Sequence, residues 1–115
     1  MSLAYPGKNM KGDTIYMFNA LWFKPEGGKE KYQEYLRAAA PFVSQYDGKS
    51  DSAYQPEKAI IGEFDADLMF IVEWPNKEAF KSFVKDPGYQ SVAHLRDEAI
   101  VNSLLIRLRK IDRMS

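Results

Sequence analysis

Residues 14–23, "TIYMFNALWF", are apolar on both parities, which predicts a strand covered on both faces. "KPEGG" breaks the run with Pro25, Gly27 and Gly28. From Lys29 the period changes: Tyr32, Tyr35, Leu36, Ala39, Val43 and Tyr46 form one helical stripe, and Gly48 is a natural stop. Pro41 conflicts with that helix. It cannot donate to the carbonyl of Arg37, so a kink or an early end is expected there.

Residues 52–64, "SAYQPEKAIIGEF", predict an irregular strand, with Pro56 favouring an edge or a bulge. After a short "DAD" turn, residues 68–74, "LMFIVEW", read as a strongly apolar strand, and the two form a hairpin. Pro75 ends it and Asn76 offers a helix cap. Ala79, Phe80, Phe83 and Val84 stripe a short helix, which "DPG" at 86–88 interrupts. A second helical piece passes through Val92, Ala93, Arg96, Ala99 and Ile100, and residues 103–111 form the last strand. The order β-α-β-β-α-β, with the second helix split, predicts an α+β ferredoxin-like fold with a four-stranded antiparallel sheet. Its usual strand order, 4-1-3-2, puts residues 14–23 and 68–74 at the centre. Residues 13–115 are expected to be one domain behind a flexible segment, 1–12.

In this fold both helices lie on one side of the sheet, so the other side needs a cover. Tyr16, Phe18, Ala20 and Trp22 point one way and Ile15, Met17, Asn19, Leu21 and Phe23 the other. Leu68, Phe70, Val72 and Trp74 oppose Met69, Ile71 and Glu73 in the same manner. Neither side is polar, and an apolar patch above ~400 Å² is rare on a soluble monomer. A two-fold homodimer with the sheets face to face is therefore expected. Cover by the N-terminal segment or by loops is the alternative.

Composition narrows the chemistry. The chain has 115 residues, 16 basic and 16 acidic, which argues against broad binding to nucleic acid or to an anionic membrane. It has no cysteine and one histidine, so thiol chemistry is excluded and no metal site or cofactor is expected. The polar start "MSLAYPGKNMKGD" lacks a signal peptide's apolar core, and no apolar run approaches ~20 residues. A soluble, cytoplasmic protein is the expectation.

"IVEWP" at 71–75, "EAF" at 78–80 and "DPGYQSVAHLR" at 86–96 resemble the domain-of-unknown-function family 1330, in the superfamily of dimeric α/β barrels. Members are similar in an aliphatic pair followed by Glu, an aromatic and Pro, matched by Ile71, Val72, Glu73, Trp74 and Pro75. They are also similar in an Asp/Ser-Pro-x-Tyr-Gln segment, matched by Asp86, Pro87, Tyr89 and Gln90, with Leu95-Arg96 shortly after. The mid-helix "AAAP" of 38–41 fits as well, and the resemblance spans about residues 15–111. It departs in the second strand, where the family tends toward a Gly-rich approach ending in Glu-Gly and "PEKAIIGEF" has Gly62 before Glu63. The resemblance implies the dimeric barrel and no settled reaction.

Asn19 sits mid-strand among apolar residues and needs partners if buried. Taken with Glu73 and with Arg107 or Arg109, it suggests an Asn–Glu–Arg cluster across three strands. Such a cluster can orient a carbonyl or carboxylate, or simply fix the register as a buried network. His94, with Asp97 and Glu98 three and four residues ahead, is a candidate base or a solvated side chain. Tyr89 can lend a hydroxyl to a pocket or pack on the first helix. Arg96 lies on the apolar stripe, where it can snorkel or pair with Glu73. Trp22, Trp74, Phe18 and Phe70 can line an apolar cavity or be plain core.

These readings converge on a homodimer binding a small, partly aromatic or carboxylated metabolite between sheet and helices. Arg107 or Asn19 would hold a substrate oxygen and His94 or Tyr89 would move a proton. Analogy with dimeric barrels at large adds cofactor-independent oxygenase or isomerase chemistry, although fold does not fix function. The alternative is a non-catalytic dimeric binding or stress-associated module with a closed core. A DNA-binding role for "RLRK" is disfavoured, because that run alternates faces along a strand.

Overall fold

The computed structural model describes residues 13–111. The flexible segment expected at 1–12 lies outside them, as does any cover that it provides. Strand β1, Ile15–Phe23, enters the sheet first. Helix α1, Gly28–Gln45, follows. Its opening residue lies so close to the later chain that a Cβ on Gly28 would stand 2.6 Å from the Ala99 carbonyl oxygen. That carbonyl already accepts from Lys24 N–H at 2.9 Å, which ties both ends of the turn to the far end of the chain.

The helix does not stop at Pro41, so the early end expected as one of two outcomes does not occur. Pro41 itself is exposed, while Phe42 and Val43 beyond it pack against the core. The last turn is also closed by Tyr46 N–H on Phe42 O at 3.3 Å and Gly48 N–H on Val43 O at 2.9 Å. Packing and these bonds outweigh the lost donor.

The second strand corrects the sequence reading more strongly. Only Ala53–Tyr54 forms β2, and residues 55–67 make a long irregular arm. Strand β3, Leu68–Trp74, returns from it. Asn76 then caps helix α2, Lys77–Lys85, by accepting from Ala79 N–H at 2.8 Å. Asp86 ends α2 and caps helix α3, Pro87–Val92, accepting from Gly88 N–H at 2.7 Å and Tyr89 N–H at 3.2 Å. Helix α4, His94–Ala99, leads directly into strand β4, Ile100–Leu108, which starts earlier than expected because Ile100 already pairs with Phe23.

The antiparallel sheet has the order β2-β3-β1-β4, the ferredoxin-like arrangement predicted from the element order. Directly opposed residues share a face. Ile15 opposes Trp74, Met17 opposes Val72 and Leu21 opposes Leu68, and these side chains meet Tyr32, Tyr35, Phe83 and Leu95 of the helices in one core. Tyr16 opposes Glu73 and Leu108, Phe18 opposes Ile71 and Ile106, and Ala20 opposes Met69 and Leu104, all on the other side. Among the described residues no helix covers that side, and the molecule is 18 Å through its thinnest axis, one sheet and one helix layer.

Candidate functional site

The register separates the residues that sequence reasoning joined. Asn19 opposes Phe70 on the helix side, whereas Glu73 opposes Tyr16 on the bare side. The sheet stands between them, so the Asn19–Glu73–Arg107 cluster does not exist. Arg107 opposes Met17 and shares the side of Asn19, but it is exposed. Asn19 instead donates its amide N–H to the carbonyl of Met17 at 3.1 Å. The aromatic quartet divides likewise. Trp22 and Phe18 lie on the bare side and Trp74 and Phe70 on the helix side, because equal parity within each strand says nothing about the register between strands.

The helix side is filled rather than hollow. The rings of Tyr32 and Tyr35 are tilted against one another with centroids 5.3 Å apart, and that of Tyr89 lies 4.2 Å from that of Phe83. The Tyr35 and Tyr89 hydroxyls are hydrogen-bonded to one another at 2.8 Å. Burial pushes the Tyr32 and Tyr35 hydroxyls well above the ordinary phenol range; the hydrogen bond to Tyr89 adds to the rise at Tyr35, and the Arg96 charge opposes it at both. Arg96 thus faces tyrosines and is separated from Glu73, its expected partner, by the sheet. Trp74 is 2% exposed, and its indole N–H has no acceptor among the described residues. His94 is exposed at the start of α4, alongside exposed Asp97 and Glu98.

Two depressions lie elsewhere, and neither is lined by Tyr89 or His94. The first, about 320 Å³, opens on the bare side at the β2–β3 edge. Met69 and Ile71 floor it, Tyr16 and Tyr54 flank it, and Lys49, Asp51 and Glu73 bring charge. Lys49 is placed by a backbone bridge to Glu73, with N–H···O distances of 2.9 and 2.7 Å. Lys110 Nζ stands 5.8 Å from the centroid of the Tyr16 ring, within cation–π range. The second depression, about 680 Å³, lies under the arm and includes Trp22, Lys58, Glu63, Phe64 and Asp67. Its base is anchored by Trp22 N–H on Asp65 Oδ1 and Phe23 N–H on Asp67 Oδ2, both 2.8 Å.

Of the residues singled out from sequence, Glu73, Phe70 and Trp22 line these depressions. Tyr16, Lys49, Asp51 and Tyr54 were missed. Their signal was faint: a short charged run before a two-residue strand, legible only once Lys49 is known to oppose Glu73. Among the described residues, no three His, Asp or Glu side chains converge as a metal cage requires, and no helix is long and apolar enough to cross a membrane.

A four-stranded antiparallel sheet backed by helices on one side defines a ferredoxin-like α+β protein. Residues 27–107 match the family described as "Domain of unknown function (DUF1330)", and the chain belongs to that family. The crystal structure of RPA0582, a protein of unknown function from Rhodopseudomonas palustris, is 30% identical with a TM-score of 0.83; the match covers 89% of this chain and 85% of that one. A dimeric ferredoxin-like protein of unknown function from Jannaschia sp. CCS1 is 14% identical with a TM-score of 0.64, covering 83% and 97%. A variant of SnoaB, a cofactor-independent oxygenase from Streptomyces nogalater, is 18% identical with a TM-score of 0.60, covering 89% and 96%. No curated protein matches the chain.

Proposed function

We propose that this protein is a homodimer joined through its bare sheet faces and that each copy binds a small, partly aromatic, carboxylated metabolite on that side of the sheet. The observation carrying this reading is the depression at the β2–β3 edge, whose apolar floor lies between two tyrosines with Lys49 at its margin. An aromatic ring would lie over Met69 and Ile71, and a carboxylate would meet Lys49 or Lys110, with Glu73 limiting how much negative charge is accepted. The pocket first expected between sheet and helices has its space taken by the paired tyrosines.

Binding without turnover is the function that this geometry supports. SnoaB shares the fold alone at its level of identity, and fold does not transfer chemistry. Neither depression is lined by His94 or Tyr89, the residues considered for moving a proton; His94 is exposed and Tyr89 is buried against Phe83 and Tyr35, which supports the binding reading. Titration of ¹⁵N-labelled protein with 4-hydroxybenzoate, followed by amide NMR, tests the reading. Shifts are expected at residues 49–54 and 69–73. Shifts confined to α1 and α3, or none up to millimolar probe, would overturn it.

A further inference from the structure

The arm carries two adjacent isoleucines into solvent: Ile60 is 84% exposed and Ile61 94%. Large aliphatic side chains this bare, at the tip of a shaped segment, need a destination. The tip turns at Gly62, whose φ of +83 is left-handed and strained for other residues. Below it the arm is fastened to the sheet. Phe64 packs against Trp22 at 5.9 Å and Phe18 at 6.5 Å between centroids, and Asp65 and Asp67 hold the end of β1.

Phe18 and Trp22 belong to the bare side of the sheet, so the arm leaves from the face that no described helix covers. Ile61 is three steps along the chain from Phe64, a reach of at most about 10 Å, shortened by the turn at Gly62. Two sheets packed face to face stand about 10 Å apart. The length therefore suits a tip that crosses to a facing sheet. Two-fold symmetry would make the exchange mutual, each copy giving one arm and receiving one.

We propose that Ile60 and Ile61 of one copy seat on the bare sheet face of the second copy and roof its depression over Met69, Ile71 and Tyr54, so that each binding site is completed by the other chain. This rests on the sheet-to-sheet dimer and the binding site proposed above. The occupant is a second copy for two reasons. The arm is continuous with the bare face through Phe64, and that face presents the aliphatic surface that the isoleucines match: Ile71, Leu104, Ile106 and Leu108, each 38–44% exposed.

The chain has no cysteine, so Ile61→Cys creates a single labelling point. That variant, carrying benzophenone maleimide, is mixed with unlabelled ¹⁵N protein, irradiated, and its adducts are mapped by mass spectrometry. Adducts joining ¹⁴N to ¹⁵N peptides within residues 49–73 or 104–108 are the expected result. Adducts only within one chain, in a sample that light scattering finds dimeric, would overturn the arm exchange and leave the dimer standing. A monomeric unlabelled protein would instead remove the reading on which it rests. As a second measurement, Ile60→Ser with Ile61→Ser is expected to weaken 4-hydroxybenzoate binding at least tenfold. Unchanged affinity in that variant also overturns the proposal.

Discussion

Trp74 combines two opposed roles in one side chain. Its ring packs against Phe80 and Phe83 at 5.5 and 4.9 Å, while its indole N–H is buried with no acceptor among the described residues. An unmet buried donor costs about 1–3 kcal/mol, comparable with what a smaller ring would lose in packing. Trp74→Phe is therefore expected to change unfolding free energy by no more than about 1 kcal/mol in urea. Phe83→Ala, which only opens a cavity between Trp74 and Tyr89, should cost about 3–5 kcal/mol. A large loss for Trp74→Phe would mean that the N–H has a partner after all. At this scale the sequence was legible for burial and poorly legible for partners. Tyr89 packs on the first helix, as one of its two readings had it; Asn19 and Arg96 were recognised as out of place without their partners, because what lies beside a side chain depends on register, which a single strand does not encode.

Asp86 shows how much one residue can organise at the level of elements. It ends α2, caps α3 and accepts from the Tyr46 hydroxyl at 2.6 Å, joining the end of α1 to the split in the second helical region. The Tyr46 hydrogen bond, helped by the two backbone N–H donors, lowers the Asp86 carboxyl below its ordinary value, and the same bond raises Tyr46. A carboxyl depressed in the folded state stabilises above its unfolded pKa, and that contribution is lost as pH falls through the folded value. Asp86→Ala should therefore lower the melting midpoint by roughly 5 °C at neutral pH. The gap to the parent protein should narrow below about pH 4. A gap that is constant down to pH 2 would contradict the assignment. The "DPG" signal was readable because cap chemistry is local. The length of β2 was not, since strand pairing at an edge is decided by the neighbouring strand and by where the arm is fastened.

For the whole molecule, the bare side of the sheet dominates. Ile106 is 44% exposed, opposite Phe18 in the middle of the aliphatic strip. Ile106→Glu would place an unpaired charge in the proposed interface and should raise the dimer dissociation constant roughly a hundredfold or more, measured by sedimentation. Wild-type dimerisation unaffected by this change would place the contact elsewhere. The need for a cover was legible from parity alone, because neither parity of β1 is polar. The arm was not, since "PEKAIIGEF" reads equally as a strand until Gly62 turns it and Asp67 fastens it.

The pairing of β1 also sets an order of events during synthesis. Its first neighbour in the sheet, β3, comes from the middle of the chain, and its second, β4, closes the sheet by joining Tyr16 to Leu108. Until the ribosome has released that last strand, β1 is an edge with an unsatisfied row of backbone donors and acceptors. Contacts so distant in sequence make closure slow relative to helix formation. The nascent protein must therefore wait, with its most apolar strand half-paired, for nearly the entire described chain to emerge.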